Sequence, residues 1–198
     1  MSQLFQFAPS RSSFCAGLTW RHGGPPEEQC FAAMRAALSV GCNLWDGGEF
    51  YGTPEANSLT LLKKYFTKYP EDAEKVILNI KGALKSDMTP DGSPNFVRES
   101  VEHCLEMLGG KARIDMFECA RRDPNTPLET TIATLEDLMK EGKIGGVALS
   151  EVNANTIREA AKITRVLAVE VEISLFSTEP LYNGVTQACS ELNIPILA

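Results

Sequence analysis

The length, composition and charge of the chain limit the kind of protein it can be. Its 198 residues suffice for one domain with a sizeable core, and 43% hydrophobic and 23% charged residues are ordinary for a globular protein. The net charge of -7 argues against nucleic-acid binding, which usually needs a basic patch. No apolar run approaches the length of a membrane span, so we expect no membrane insertion.

The cysteines favour a reducing compartment. The chain has six, none of them in a CxxC pair, and most lie in apolar stretches. Buried, reduced thiols in a cytoplasmic protein are the interpretation that we favour. The first 26 residues contain no acidic residue and resemble a transit peptide weakly. An irregular start to the first strand is the alternative that we prefer.

Short apolar runs alternate with longer amphipathic runs along the chain. We predict strands over residues 14–19, 43–45, 76–81, 114–119, 145–150, 167–172 and 194–198. Helical patterns occupy residues 27–40, 95–108, 128–138, 153–163 and 180–192. Pro25-Pro26 precedes the first of these helices, and Gly109-Gly110 and Gly142 follow the second and third. This alternation predicts a parallel sheet covered by helices.

Two architectures fit a covered parallel sheet: an open doubly wound sheet and a closed (β/α)8 barrel. The first strand is not followed by the G-x-G-x-x-G loop of a dinucleotide-binding sheet. Polar residues instead end several predicted strands, namely Asp46, Lys81 and Ser150. Such ends meet at one mouth of a barrel, so we predict an α/β (β/α)8 TIM barrel. With about seven strands it is incomplete and lacks its last βα unit, which suggests a fragment or an oligomer that covers the open barrel edge.

Three of the residues near the predicted mouth form a chemically meaningful set: Asp46, Tyr51 and Lys81. A phenol transfers protons poorly at neutral pH, and an adjacent ammonium is expected to lower its pKa. A carboxylate beside the lysine would keep the ammonium charged and oriented. Each residue alone is more often a cap, a packing residue or a solvated charge. Together they predict a tyrosine that protonates a carbonyl oxygen.

The same residues carry a resemblance to a known family. Asp46, four intervening residues, Tyr51-Gly52 and a lysine that ends the third strand resemble the aldo-keto reductases. Similar segments follow at residues 114–127, 141–152, 169–176 and 192–198. Residues 47–54 and 117–121 look most like fungal pyridoxal reductase-type members. The resemblance runs from about residue 17 to the C-terminus. We therefore divide the chain into an atypical segment, 1–13, and a partial NADP-dependent oxidoreductase barrel, 14–198.

The resemblance implies NADPH-dependent reduction of an aldehyde or ketone, pyridoxal-like or another small carbonyl, to the alcohol. It makes Tyr51 the proton donor, Lys81 the group that lowers its pKa and Asp46 the partner of that lysine. The cofactor-binding residues are Ser150, Glu170 and Thr19, and Trp20 borders the substrate. No metal site is predicted. The family places the first strand's end, with Thr19 and Trp20, beside the nicotinamide.

The sequence also departs from the family pattern. Ala120 stands where the family has a histidine that orients the carbonyl, and alanine cannot donate a hydrogen bond. Glu170 replaces a glutamine and Glu151 an asparagine. We expect the 198 residues alone to bind NADPH weakly. The alternative to an active reductase is a catalytically impaired barrel that serves as a cofactor-binding or regulatory module.

Overall fold

Seven parallel strands form one sheet in which each strand pairs with the next one in the chain. The computed structural model describes residues 12–14, 16–20 and 24–198, so most of segment 1–13 lies outside it. The strands are β1 (Ser12–Phe14), β2 (Leu44–Gly48), β3 (Ile77–Gly82), β4 (Met116–Cys119), β5 (Val147–Ser150), β6 (Val166–Glu170) and β7 (Ile196–Leu197). No pairing joins β7 to β1 within these ranges. The predicted incomplete α/β barrel of about seven strands is confirmed.

Seven α-helices accompany the strands of the described chain. They are α1 (Ala16–Thr19), α2 (Glu27–Ser39), α3 (Ser58–Lys68), α4 (Pro94–Leu108), α5 (Leu128–Lys140), α6 (Ala154–Ile163) and α7 (Val185–Glu191), with 3-10 turns at Pro70–Asp72 and Glu179–Leu181. None of these helices has the length and apolar character needed to cross a bilayer.

Side chains on the two faces of the sheet have different surroundings. Those that point outward, such as Trp45, Ile80 and Phe117, join one large apolar cluster with helices α2 to α7. Those that point inward form a smaller apolar cluster inside the curled sheet: Leu44, Ile77, Met116, Ala148, Leu167, Ala168 and Leu197. Strand side chains alternate between faces, so residues two positions apart share a face. The smaller cluster is therefore the floor of the barrel interior.

A layer of polar side chains lies directly above this floor, towards the C-terminal ends of the strands. Its members follow floor residues by two positions, and Lys81 follows by four: Asp46, Asn79, Lys81, Glu118, Ser150 and Glu170. All but Glu170 are buried. We call these six residues the polar layer. A buried polar layer at the C-terminal mouth is where barrel enzymes place their functional groups.

Helix α3 was missed in the sequence, and it fixes the end of β2. Asn57 caps the helix: its side-chain oxygen accepts from the backbone N–H groups of Leu59 and Thr60 at 3.0 and 3.1 Å. The Thr60 hydroxyl accepts from the Asn57 N–H in return at 3.0 Å, which completes a capping box. The Ser58 hydroxyl bonds both the N–H and the carbonyl of Gly48, at 2.8 and 2.9 Å. Helix and strand are thus tied together beside the mouth.

Several predicted limits were wrong near the mouth. The strand expected over residues 14–19 ends at Phe14, and α1 follows, so Thr19 and Trp20 lie on a helical turn and not at a strand end. Strand β2 continues through two glycines to Gly48, because these glycines pair with β3; Asp46 is therefore in mid-strand. The helix expected over residues 180–192 is divided by Gly184, whose positive φ of 92° suits glycine.

Candidate active site

Asp46 and Lys81 meet inside the barrel, as their neighbouring strands predict. The Lys81 Nζ lies 3.4 and 3.5 Å from the two carboxylate oxygens of Asp46. Asn79, the register partner of Asp46 on β3, donates its amide to the same carboxylate at 3.2 Å. Both members of the ion pair are almost completely buried. Burial protects the pair from screening by solvent, so its geometry is well defined.

Two further carboxylates contact the same ammonium. Glu118, which pairs with Lys81 in the β3–β4 register, places one oxygen 3.0 Å from Nζ. Glu170 makes a still closer contact with Nζ. Glu170 was expected to bind the cofactor; the structure places one of its oxygens on Lys81 and leaves the other without a hydrogen bond. Glu118 was missed in the sequence. A signal was present: Glu118 is a charged residue in an apolar strand, two positions after the floor residue Met116, and such a residue points into the barrel.

The carboxylates surround the ammonium closely. Oxygens of Asp46, Glu118 and Glu170 all lie within 4.8 Å of one another, a spacing that could also hold a metal ion. In this structure the Lys81 ammonium is the cation that contacts all three. The site therefore holds three acids and one base in a low-dielectric interior.

This imbalance shifts the pKa values of the group. Burial by itself would lower the pKa of Lys81, but the charges of Glu118, Asp46 and Glu170 outweigh it and raise that pKa. Burial raises the pKa of Asp46 to about 7 in spite of the opposing charge of Lys81. Burial likewise raises the pKa of Glu118 well above its usual range. Lys81 therefore keeps its charge firmly, whereas Asp46 and Glu118 take up a proton more readily than ordinary carboxylates.

Tyr51 lies over this cluster. The Lys81 Nζ is 5.9 Å from the centre of the Tyr51 ring, and the residue is only 8% exposed. Burial raises the pKa of Tyr51 to about 12; Lys81 lowers it, but Asp46 and Glu170 add to the rise. The expectation of a lowered pKa was therefore wrong. Burial, with the added charges of Asp46 and Glu170, outweighs the effect of the ammonium on the phenol, so Tyr51 retains its proton at neutral pH.

Thr19 and Trp20 hold Tyr51 in place. The Thr19 hydroxyl donates to the Tyr51 carbonyl at 2.7 Å, so this side chain is occupied by a structural hydrogen bond. The Ser58 N–H donates to the same carbonyl at 3.1 Å. The Trp20 ring packs against the Tyr51 ring at 4.9 Å between centroids, while 55% of Trp20 remains exposed. Trp20 is thus at the surface of the site, where it was expected.

Ser150 and Ala120 occupy the remaining mouth positions. Ser150 ends β5 and is buried, and its hydroxyl has no hydrogen-bond partner among the described residues. Ala120 is buried too, and the guanidinium of Arg121 donates to its carbonyl at 2.6 Å. No imidazole takes the place of the alanine in the described part of the chain: His103 is exposed on α4.

The unpartnered buried atoms are concentrated in the polar layer. Buried side-chain oxygens without a hydrogen bond in the described residues belong to Asn79, Glu118, Ser150 and Glu170. Native proteins satisfy nearly all buried polar atoms, and exceptions are typical of functional sites. The polar layer with Tyr51 is therefore the candidate active site.

A parallel barrel sheet with aspartate, tyrosine and lysine gathered at its mouth defines a class of oxidoreductase. The family model described as "Aldo/keto reductase family" matches residues 15–198. The chain belongs to the aldo/keto reductase family, and the resemblance seen in the sequence is confirmed.

Individual relatives agree with this assignment. The chain is 45% identical over 184 residues to "Probable pyridoxal reductase 2" of Schizosaccharomyces pombe, covering 92% of this chain and 55% of that protein. It is 34% identical over 197 residues to "Probable aldo-keto reductase 1" of Glycine max, covering 96% and 55%. A crystal structure of a thermostable aldo-keto reductase with the inhibitor epalrestat superposes with a TM-score of 0.76 at 17% identity, covering 96% of this chain and 66% of that one. This last likeness shows the fold. The chain spans about half the length of the curated relatives it matches.

Proposed function

We propose that this protein reduces a small aldehyde or ketone, pyridoxal-like in character, to the alcohol with NADPH as the hydride source. The observation that carries the proposal is a buried tyrosine that keeps its proton, held over a buried lysine at the mouth of a barrel. Family membership and the pyridoxal reductase name of a relative support it.

Tyr51 is the proton donor in this proposal. Its pKa of about 12 keeps the phenol protonated, so a proton is available when negative charge develops on the carbonyl oxygen. The Lys81 ammonium, 5.9 Å from the ring centre, stabilises the phenolate that the transfer leaves behind. Asp46, which accepts a hydrogen bond from the Asn79 amide, accepts from Lys81 and orients it. Trp20 borders the exposed side of the phenol and would contact the substrate.

The nicotinamide end of a cofactor fits the residues only in part. The buried, unpartnered hydroxyl of Ser150 can bond a carboxamide, and Ser150 is the predicted cofactor residue that best suits this role. When bound, the reduced nicotinamide supplies the hydride. Glu170 contacts Lys81 and keeps one carboxylate oxygen without a hydrogen bond, and the Thr19 hydroxyl donates to the Tyr51 carbonyl but can still accept, so the cofactor roles of both residues stay predictions.

A second candidate function rests on Ala120. The family's carbonyl-orienting histidine is replaced here by a buried alanine, and the loss of one preorganised donor typically costs on the order of 100-fold or more in rate. A barrel with this substitution could bind the cofactor without fast turnover. The second candidate is therefore a cofactor-binding or regulatory module.

Replacement of Tyr51 by phenylalanine separates the two candidates. We expect the wild type to oxidise NADPH in the presence of pyridoxal and the variant to lose roughly 100-fold or more of kcat, because general acid catalysis is worth that much. NADPH binding, followed by its fluorescence, should be unchanged. Tyr69→Phe is the matched control. It also removes a phenol, but the Tyr69 ring lies in the helix layer, where it contacts Phe31 and Arg35.

The outcomes have distinct meanings. Full turnover in Tyr51→Phe refutes the role of the phenol. A wild type that binds NADPH but reduces neither pyridoxal nor other small aldehydes favours the module.

The proposal places the protein in the cytoplasm, which agrees with free thiols at Cys30, Cys42, Cys104, Cys119 and Cys189. Cell fractionation tests that placement.

A further inference from the structure

The polar layer contains more acid than it can hold in ionised form. Asp46, Glu118 and Glu170 contact one cation, Lys81, and if all four were charged the group would carry a net charge of two negatives. An unpaired buried charge costs several kcal/mol, and such groups neutralise themselves by taking up protons. The layer therefore retains at least one proton beyond the lysine's own.

Glu118 is the acid least able to stay ionised. It is completely buried, and neither of its carboxylate oxygens has a hydrogen bond. The Lys81 Nζ lies 3.0 Å from one of these oxygens, close enough for an ion pair, but the angles are not those of a hydrogen bond. Asp46 accepts hydrogen bonds from both Asn79 and Lys81. Glu170 contacts Lys81 most closely, and 13% of its side chain is exposed.

Among the residues that the structure describes, the charged groups that face Glu118 come from neighbouring strands. Lys81 faces it from β3, Asp46 from β2 and Glu170 from β6, while β5 contributes only the uncharged Ala148 and Ser150 to the interior. Two carboxylates thus oppose one ammonium. Burial, more than these charges, raises the pKa of Glu118.

We propose that Glu118 is a neutral carboxylic acid at neutral pH and that it stores the proton with which Tyr51 is recharged through Lys81. Glu118 acts on the phenol through the lysine and does not touch the substrate. The catalytic half of this inference rests on the proposed function, whereas the proton-storing half does not.

The proton balance is as follows. Reduction breaks the O–H bond of Tyr51 and forms the O–H bond of the alcohol, while the nicotinamide cofactor provides the hydride to carbon and is oxidised. The phenolate takes a proton from the Lys81 ammonium in the same step in which the lysine nitrogen takes the proton of Glu118 over the 3.0 Å contact, so Lys81 is charged before and after the transfer. The layer ends with one more negative charge, which a proton from water removes before the next cycle.

Infrared spectroscopy of the purified 198-residue chain at neutral pH tests the storage without any activity. We expect the carbonyl stretch of a protonated carboxylic acid, with a component that shifts when the protein is labelled with 13C-glutamate and disappears in Glu118→Gln; a component that does not shift belongs to Asp46, whose pKa burial raises to about 7. Glu49→Gln is the matched control and should keep the band. Burial also raises the pKa of Glu49, but this glutamate accepts hydrogen bonds from Ser100 and Cys104. Glu170→Gln should also keep it.

Each contrary result overturns the assignment. Absence of the band in the wild type does so, as does a band with no component that shifts with the glutamate label, since an aspartate would then hold the proton. A glutamate component kept in Glu118→Gln, or lost in Glu49→Gln, excludes Glu118. If Glu118→Gln does not fold, the label and the Glu170→Gln and Glu49→Gln variants still decide the matter.

Kinetics test the recharging step separately. We expect Glu118→Gln to lower kcat for aldehyde reduction by about 100-fold, the lower end of general acid–base contributions, with little change in KM. The solvent deuterium isotope effect on kcat should rise, because proton delivery becomes limiting. Unchanged kcat and isotope effect in a variant that has lost the band overturn the recharging role. An inactive wild type that shows the band removes the proposed function and leaves the storage intact.

Discussion

Replacing Lys81 with methionine probes the charge balance of the polar layer most directly. The side chain keeps a similar length, but two buried carboxylates, Asp46 and Glu118, and the partly buried Glu170 lose their shared cation. To remain buried, the layer has to bind at least one more proton. Holding a carboxyl protonated at pH 7 against an unfolded pKa near 4.3 costs about 3.7 kcal/mol, and at pH 5 about 1 kcal/mol. The variant should therefore be destabilised by about 3–5 kcal/mol at neutral pH, the usual result of breaking a buried pair.

The loss of stability in Lys81→Met should grow as the pH rises. The carboxyl pKa is raised in the folded variant, so the folded state binds more protons than the unfolded state between the two pKa values. Stability is then full below the unfolded pKa and is lost as pH rises. Urea unfolding of wild type and Lys81→Met between pH 5 and 8 measures it. Lys111→Met, at an exposed position, is the control. A destabilisation that is equal at both ends of this pH range refutes the reasoning.

Four further predictions follow from the structure. Gly82→Ala should cost about 1–3 kcal/mol of stability from overpacking, because a Cβ there would lie 2.4 Å from the Ser100 hydroxyl. Asn57→Ala should cost about 1–2 kcal/mol, since it removes the cap of α3. Tyr51 has a pKa of about 12, so its phenol should remain protonated at pH 10, and ultraviolet titration of wild type and Tyr51→Phe should superimpose up to that pH. The expected oligomer that covers the barrel edge stays a prediction, which light scattering checks.

Matched variants make the stability predictions specific. Gly17→Ala introduces a methyl group with no described atom within 4 Å, so urea unfolding should distinguish it from Gly82→Ala. Asn95→Ala removes an exposed asparagine of α4 and should have little effect compared with Asn57→Ala. Equal effects within either pair contradict the packing or capping argument. An early phenolate signal that is absent from Tyr51→Phe contradicts the burial argument for the tyrosine.

The sequence-based predictions were most successful where local pattern determines structure. The alternation of apolar runs identified the strands β2 to β7 to within a few residues, since a buried parallel strand needs an apolar run whatever its neighbours. Helix α3 was missed because its cap, Asn57, follows the irregular stretch at residues 52–56 and gives little warning in the sequence. Strand β1 was misplaced, since residues 16–19 are apolar enough to be either strand or helix.

The sequence by itself determined the family, the barrel and the presence of Asp46, Tyr51 and Lys81 at its mouth, because these depend on residue type and spacing. Only the tertiary structure decided the electrostatics. It brought Glu118 and Glu170 from β4 and β6 onto Lys81, residues 37 and 89 positions away in the chain. Burial and net charge depend on all the strands that close around a group, so no local pattern could show that the lysine is outnumbered. For the same reason the Tyr51 pKa rises where the isolated pair of tyrosine and lysine predicted a fall.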